Sequence, residues 1–87
     1  KDLHLSVVNE VKAKSQSISL SQIEHLLNSN EIDLIRRARN KTKKFPKSLD
    51  PSIYSRATGF EALIGWLFLN DPQRLSTIFE YLEIKMH

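Results

Sequence analysis

Along most of the chain the apolar residues recur at steps of three and four, the spacing that lines one face of an α-helix. Nowhere do they alternate with polar residues as a half-buried strand requires. Leu3, Val7, Val8 and Val11, with the stem of Lys14, predict a first helix from Leu3 to about Ser15, with Asp2 as its N-cap. Ser19 or Ser21 caps a short second helix in which Ile23, Leu26 and Leu27 are buried, and Asn28-Ser29-Asn30 ends it. Asn30 caps a third, with Glu31 and Asp33 near the positive end of its dipole, Arg36, Arg37 and Arg39 toward the negative end, and Ile32, Ile35 and Ala38 inward. Asn40 to Ser52 hold Pro46 and Pro51 without apolar periodicity and are expected to form a loop. A fourth helix is expected from about Ile53 to Leu69. Asp71-Pro72 then opens a fifth, an N-cap followed by proline at the first helical position, with Leu75, Ile78, Phe79 and Leu82 on its inner face. The expected class is all-α, about five helices in a single domain.

Composition narrows the chemistry. Apolar residues make up 40% of the chain and charged ones 26%, which describes a globular polypeptide and not a disordered one. No cysteine is present, so disulfides, thiolate zinc sites and thiol nucleophiles are excluded. No apolar run approaches a membrane span and no signal-like start is present, so a cytoplasmic location is expected. The net charge of +3 conceals a strong asymmetry. Arg36, Arg37, Arg39, Lys41, Lys43, Lys44 and Lys47 stand together without an acid, leaving six bases against ten acids elsewhere, a net of −4. A basic block on an acidic body suits a polyanion, although a solvated loop has the same composition. Phe45 is the one large apolar residue in the block, which argues against a lipid surface.

One carboxylate is out of place. The stretch ATGFEALIGWLFL, residues 57–69, carries a single charge, Glu61, and a helix apolar on every side is expected to be surrounded by protein. An unpaired carboxylate removed from water costs several kcal/mol. Glu61 is then protonated, paired with a base such as Arg56 or Arg36, or coordinating a cation. Both glycines of the chain, Gly59 and Gly65, lie in this stretch, where each costs about 1 kcal/mol relative to alanine unless close approach or open space is needed. Trp66 and Phe68 are expected in the core or a dimer interface. Tyr54 is compatible with the core or with base stacking. His4, His25 and His87 are too scattered for a metal set.

The segment Ala57-Thr58-Gly59-Phe60-Glu61-Ala62-Leu63-Ile64-Gly65 resembles the C-terminal catalytic helix of the ribonuclease III domain, whose pattern is close to FEALIG. Asp2-Leu3-His4, the run Val11 to Gln16, Arg36-Arg37-Ala38-Arg39-Asn40 and Pro46-Lys47 through Tyr54 resemble stretches of one branch, Mini-ribonuclease III, in chain order. The resemblance implies an all-helical, homodimeric, Mg²⁺-dependent endoribonuclease acting on double-stranded RNA, in this branch a ribosomal RNA precursor (23S in bacteria). It makes Glu61 a metal ligand and catalytic residue and makes Asp50, which matches an aspartate of the branch's loop, a second catalytic candidate. If the connection is helical, Asp50, eleven residues before Glu61, lies about 16 Å from it, and only a loop that folds back brings the two together. Thr58 stands where larger ribonuclease III enzymes carry an aspartate, a departure the Mini branch shares. Lys12, Lys14, Ser15, Gln16, Arg36, Arg37, Arg39, Asn40, Lys41, Lys43 and Lys44 are the candidate RNA contacts, as A-form RNA is read mainly through phosphates and 2′-hydroxyls. The family's first catalytic element, which carries an essential aspartate, would precede Lys1. Residues 1–87 are therefore expected to be the C-terminal two-thirds of the domain and inactive alone. A non-catalytic RNA-binding or ribosome-associated module is the first rival, and a small helical DNA-binding or protein-interaction domain the second.

Overall fold

The computed structural model describes residues 3–86, with side chains described for 7–84, and among these every regular element is helical. Asp2 and His87, and the side chains of Leu3 and His4, fall outside the described set. Four α-helices run in chain order, α1 Leu3–Ile23, α2 Ser29–Lys41, α3 Pro51–Asn70 and α4 Pro72–Met86, with one 3₁₀ turn, Glu24–Leu26, after α1. The five expected helices are thus four. The first two are continuous, because no glycine or proline interrupts residues 15–23 and the serines there do not cap. Ser21 Oγ instead donates back to the Ser17 carbonyl at 3.2 Å.

Fusing the two segments changes which face of α1 turns inward. Ala13, Leu20 and Ile23 are buried, whereas Val7, Val8 and Val11, expected inward, are exposed together with Ile18. The helix carries two apolar stripes, and periodicity alone does not say which one meets the core. In α2 the cap is Asn28, two residues before the expected Asn30. Asn28 Oδ1 accepts the Glu31 N–H at 2.9 Å, and the Glu31 side chain accepts the Asn28 N–H at 2.9 Å. This reciprocal capping box starts the helix at Ser29. Ile35 is buried, while Ile32 points to solvent.

Helix α3 is the hub and packs on each of the other three. Its Phe60, Leu63 and Leu67 meet Leu20 and Ile23 of α1, Ile35 of α2 and Leu75, Ile78 and Leu82 of α4 in one core. A smaller cluster joins Ala13, Leu49 and Ala57, with Ile53 and Tyr54 packed against it. Gly59 permits the close crossing of α2, since a Cβ there would stand 2.8 Å from Ile35 Cγ2 and 3.2 Å from Arg39 Cγ. At Gly65 a Cβ would meet nothing within 4 Å. The Asp71-Pro72 start of α4 is as expected, with Asp71 Oδ1 accepting the Arg74 N–H at 3.1 Å. Phe79, expected inward, is half exposed.

A buried ion pair ties these elements together. Glu31, 6% exposed at its side chain, pairs with Arg74 of α4 at 2.9 Å. Arg74 Nε donates to Glu31 Oε2 at 2.9 Å, and Nη2 donates to Oε1 at 2.9 Å and to the Leu26 carbonyl at 2.8 Å. The Arg74 hydrogen bond holds the Glu31 carboxyl below its ordinary value, outweighing the burial that acts in the opposite direction.

Two predictions follow from this packing. Gly59→Ala destabilises by about 1–3 kcal/mol through overpacking against Ile35, whereas Gly65→Ala stabilises by about 1 kcal/mol through helix propensity; denaturant titration of both variants tests the contrast. Because the folded Glu31 carboxyl titrates below its unfolded counterpart, the pair's stabilisation is complete above the ordinary value near 4.5 and fades as pH falls through the lower folded value. Unfolding midpoints measured from pH 7 down to pH 3 are expected to drop in the parent chain and to depend less on pH in Glu31→Gln, which is itself less stable at neutral pH.

Candidate functional site

The resemblance-derived residues divide between two sides of α3. Gly59, which faces α2, and Glu61 are two positions apart, so they point to nearly opposite sides of the helix. Glu61 faces α1 across a cleft of about 260 Å³ lined by Asn9, Lys12, Ala13, Gln16, Pro46, Leu49, Tyr54 and Glu61 itself. The small side chains of Ala13 and Ala57, both buried, let α1 and α3 approach here. Gln16 Nε2 donates to Glu61 Oε2 at 3.1 Å. Lys12 Nζ lies 4.0 Å from the same oxygen. Among the described residues, Oε1 of Glu61 has no protein partner. Pro46 and Leu49 bring the loop of residues 42–50 to the rim, and Phe45 stacks edge-on against Tyr54 with ring centroids 5.9 Å apart. Lys43, Lys44 and Lys47 ride on that loop, exposed.

Glu61 is not buried as its apolar setting predicts; its side chain is 54% exposed. The exposed side of α3 is itself apolar: Gly65, Phe68 and Leu69 share the surface with Glu61, while Trp66 is half exposed on the α2 side beside Leu34 and Arg37, so Trp66 and Phe68 are not core residues. Burial thus gives no reason for a cation at Glu61. The arginine partners considered for it are engaged elsewhere. Arg56 donates to Ser17 Oγ at 3.2 Å, Ser21 Oγ at 2.8 Å and Glu24 Oε2 at 3.2 Å, pinning α3 to α1. Arg36 pairs with Asp33, whose carboxyl that contact lowers below its ordinary value.

Asp50 is placed apart from Glu61. It is the N-cap of α3, accepting the Ser52 N–H at 2.7 Å and the Ile53 N–H at 3.4 Å, with Pro51 at the first helical position. Since the helix runs unbroken from Pro51 past Glu61, the separation is about 16 Å along the axis. The two carboxylates do not share one ion in this arrangement, as a helical connection implies. Among the described residues no group of three or more His, Cys, Asp or Glu side chains is placed to hold a metal ion.

The expected RNA contacts also separate. Lys12 and Gln16 stand at Glu61, whereas Lys14 turns toward Glu10, 3.2 Å away, and Ser15 is exposed beside it. Arg36, Arg39 and Asn40 line a different hollow, on the α2 side, with Ser55, whose hydroxyl accepts from Arg39 Nε at 3.2 Å. Arg37 pairs with Asp33 at 3.0 Å. Lys41 is exposed at the end of α2. Asn9 and Tyr54 are cleft residues that sequence reasoning did not assign to the site; the helical spacing of Asn9, Lys12, Ala13 and Gln16 places them on one face of α1 and was the available signal.

The sequence of this all-helical chain, with a solitary carboxylate on its central helix facing Lys12 and Gln16, has a counterpart among known families. The ribonuclease III domain matches residues 1–72, and the chain belongs to that family. It is 39% identical over 82 residues to the Mini-ribonuclease 3 of Synechococcus sp., covering 94% of this chain and 59% of that protein. The Mini-ribonuclease 3 of Thermoanaerobacter sp. is 45% identical over 80 residues, covering 90% of this chain and 56% of that protein. That of Symbiobacterium thermophilum is 41% identical over 81 residues, 91% of this chain and 62% of that protein. The chain thus spans little more than half the length of these curated relatives. No solved structure matches it significantly.

If Asp50 serves α3 as a cap, Asp50→Ala lowers stability by about 1 kcal/mol and Asp50→Asn, an equally good cap, leaves it nearly unchanged. Thermal unfolding of the two variants checks this; equal losses in both would speak for a role that needs the negative charge.

Proposed function

We propose that this chain is the C-terminal two-thirds of a ribonuclease III catalytic domain, residues 1–87 forming one domain of a Mg²⁺-dependent, homodimeric endoribonuclease that cleaves double-stranded RNA. Its proposed substrate is a ribosomal RNA precursor, the 23S species, in the cytoplasm. Membership of the ribonuclease III family, joined to the Mini-ribonuclease 3 relatives across nine-tenths of the chain, is the observation that carries this reading. No helix among the described residues is long and apolar enough to cross a membrane.

The donor set at Glu61 fits part of a magnesium site. A half-exposed carboxylate with one oxygen free of protein partners is a hard ligand, and magnesium keeps several waters, so few protein oxygens suffice. Glu61 would hold the ion, which in phosphodiester hydrolysis supplies a hydroxide at neutral pH and neutralises charge on the phosphate. One carboxylate is a partial set, and the remaining ligands are expected from outside residues 1–87. Lys12 at the cleft, with Lys43, Lys44 and Lys47 on the rim loop, offers cations to the phosphates flanking the scissile bond. Arg36, Arg37, Arg39, Asn40 and Lys41, beyond α3, would contact more distant phosphates or a separate stretch of the duplex.

The lone carboxylate also favours a second reading, a non-catalytic RNA-binding or ribosome-associated module. One experiment separates the two. The protein of the complete reading frame, incubated with double-stranded RNA and Mg²⁺, is expected to cleave it, and Glu61→Gln to lose at least about 100-fold in rate while still binding RNA. Undiminished cleavage by Glu61→Gln would remove Glu61 from the chemistry, and binding without cleavage by the parent protein would favour the second reading.

A further inference from the structure

We propose that Gln16 is a positioning residue for Glu61: its side-chain amide fixes one carboxylate oxygen and leaves the other for a divalent cation. This rests on the reading of Glu61 as a metal ligand. The resemblance alone assigned Gln16 to RNA, but the geometry gives its amide a partner within the protein. Gln16 Nε2 lies 3.1 Å from Glu61 Oε2, across the α1–α3 interface and 45 positions away in sequence.

A half-exposed glutamate has three rotatable side-chain bonds and loses rotamer freedom when it binds an ion, a cost that a preformed hydrogen bond meets in advance. The donor's chemistry also suits the task. A neutral amide orients a carboxylate without cancelling its charge, whereas an ammonium in the same place would compete with the cation. Lys12, 4.0 Å from the same oxygen and largely exposed, is too far and too solvated to take the role.

The frame around Gln16 is built to hold it. Ser17, its neighbour in α1, accepts from Arg56 of α3 at 3.2 Å, and Ser21 one turn on accepts from the same guanidinium at 2.8 Å. Ala13, on the other side, is buried in the cluster with Ala57 and Leu49. Together these contacts fix the rotation of α1 against α3, so the amide of Gln16 is delivered to Glu61 by the packing of both helices.

The test is Mg²⁺ titration of the protein of the complete reading frame, followed by NMR amide shifts of residues around Glu61, with RNA binding in magnesium-free buffer measured in parallel. Gln16→Ala is expected to weaken Mg²⁺ binding roughly tenfold without changing the unfolding midpoint or magnesium-free RNA affinity. Gln16→Asn, one methylene too short to reach, is expected to behave like Gln16→Ala. Unchanged Mg²⁺ affinity in Gln16→Ala, with RNA affinity lowered instead, would overturn the proposal and return Gln16 to the RNA. If Glu61→Gln also leaves the Mg²⁺-induced shifts intact, the metal-ligand reading itself fails. Loss in Glu61→Gln with no change in Gln16→Ala sinks only the positioning role.

Discussion

The buried pair between Glu31 and Arg74 is the constraint on which the helical arrangement depends. Three nearly dry hydrogen bonds from one guanidinium reach a helix-capping carboxylate and the carbonyl of Leu26, so the end of the 3₁₀ turn, the start of α2 and the first turn of α4 meet at a single point. Breaking such a pair strands a charge away from water, a far larger penalty than the pair's net contribution. It therefore enforces geometry more than it adds stability. With α2 and α4 fixed relative to each other, α3 is left one slot, and its two sides acquire different neighbours.

That division explains why the candidate site is small. On one side of α3, Gly59 admits α2 and its arginines; on the other, Glu61 meets the lysine and glutamine of α1 and the rim loop. The basic block, continuous in sequence, is therefore discontinuous in space. Its arginines are largely engaged in short-range pairs with Asp33 and Ser55, whose worth at an exposed surface is small and whose charge stays available to a polyanion. Its Lys43, Lys44 and Lys47 ride, exposed, on the loop whose Pro46 and Leu49 line the Glu61 cleft. On the proposed reading, an RNA duplex that touched both sets of cations would have to reach around the central helix.

How much of this was legible in the chain depends on the range of the interaction. Local signals served well. Asp71-Pro72 marked the start of α4, and Leu75, Ile78 and Leu82 marked its inner face. The Asn28–Glu31 spacing carries the capping box, although a second asparagine two residues on competed for the assignment. Long-range facts stayed hidden. Glu31 looked like a dipole partner because the arginine that buries it stands 43 residues away. In α1 two apolar stripes of similar strength left the inward face undetermined, and the valines proved exposed. Glu61 was singled out for an apolar setting that is real, yet the inference to burial failed, since a chain can leave phenylalanine and leucine in solvent on the same side as the acid.

The corner between α3 and α4 is a single residue. Asp71 donates its N–H to the Leu67 carbonyl at 2.7 Å, ending one helix, while its own carbonyl accepts from Leu75 at 3.1 Å within the next. Such a joint has no slack. One inserted residue would turn α4 by about 100° about its axis and swing its inner leucines out of register, whereas the stretch from 42 to 50 is bound by few partners and tolerates changes in length. A change of length is thus absorbed more readily in the basic loop than at the α3–α4 corner.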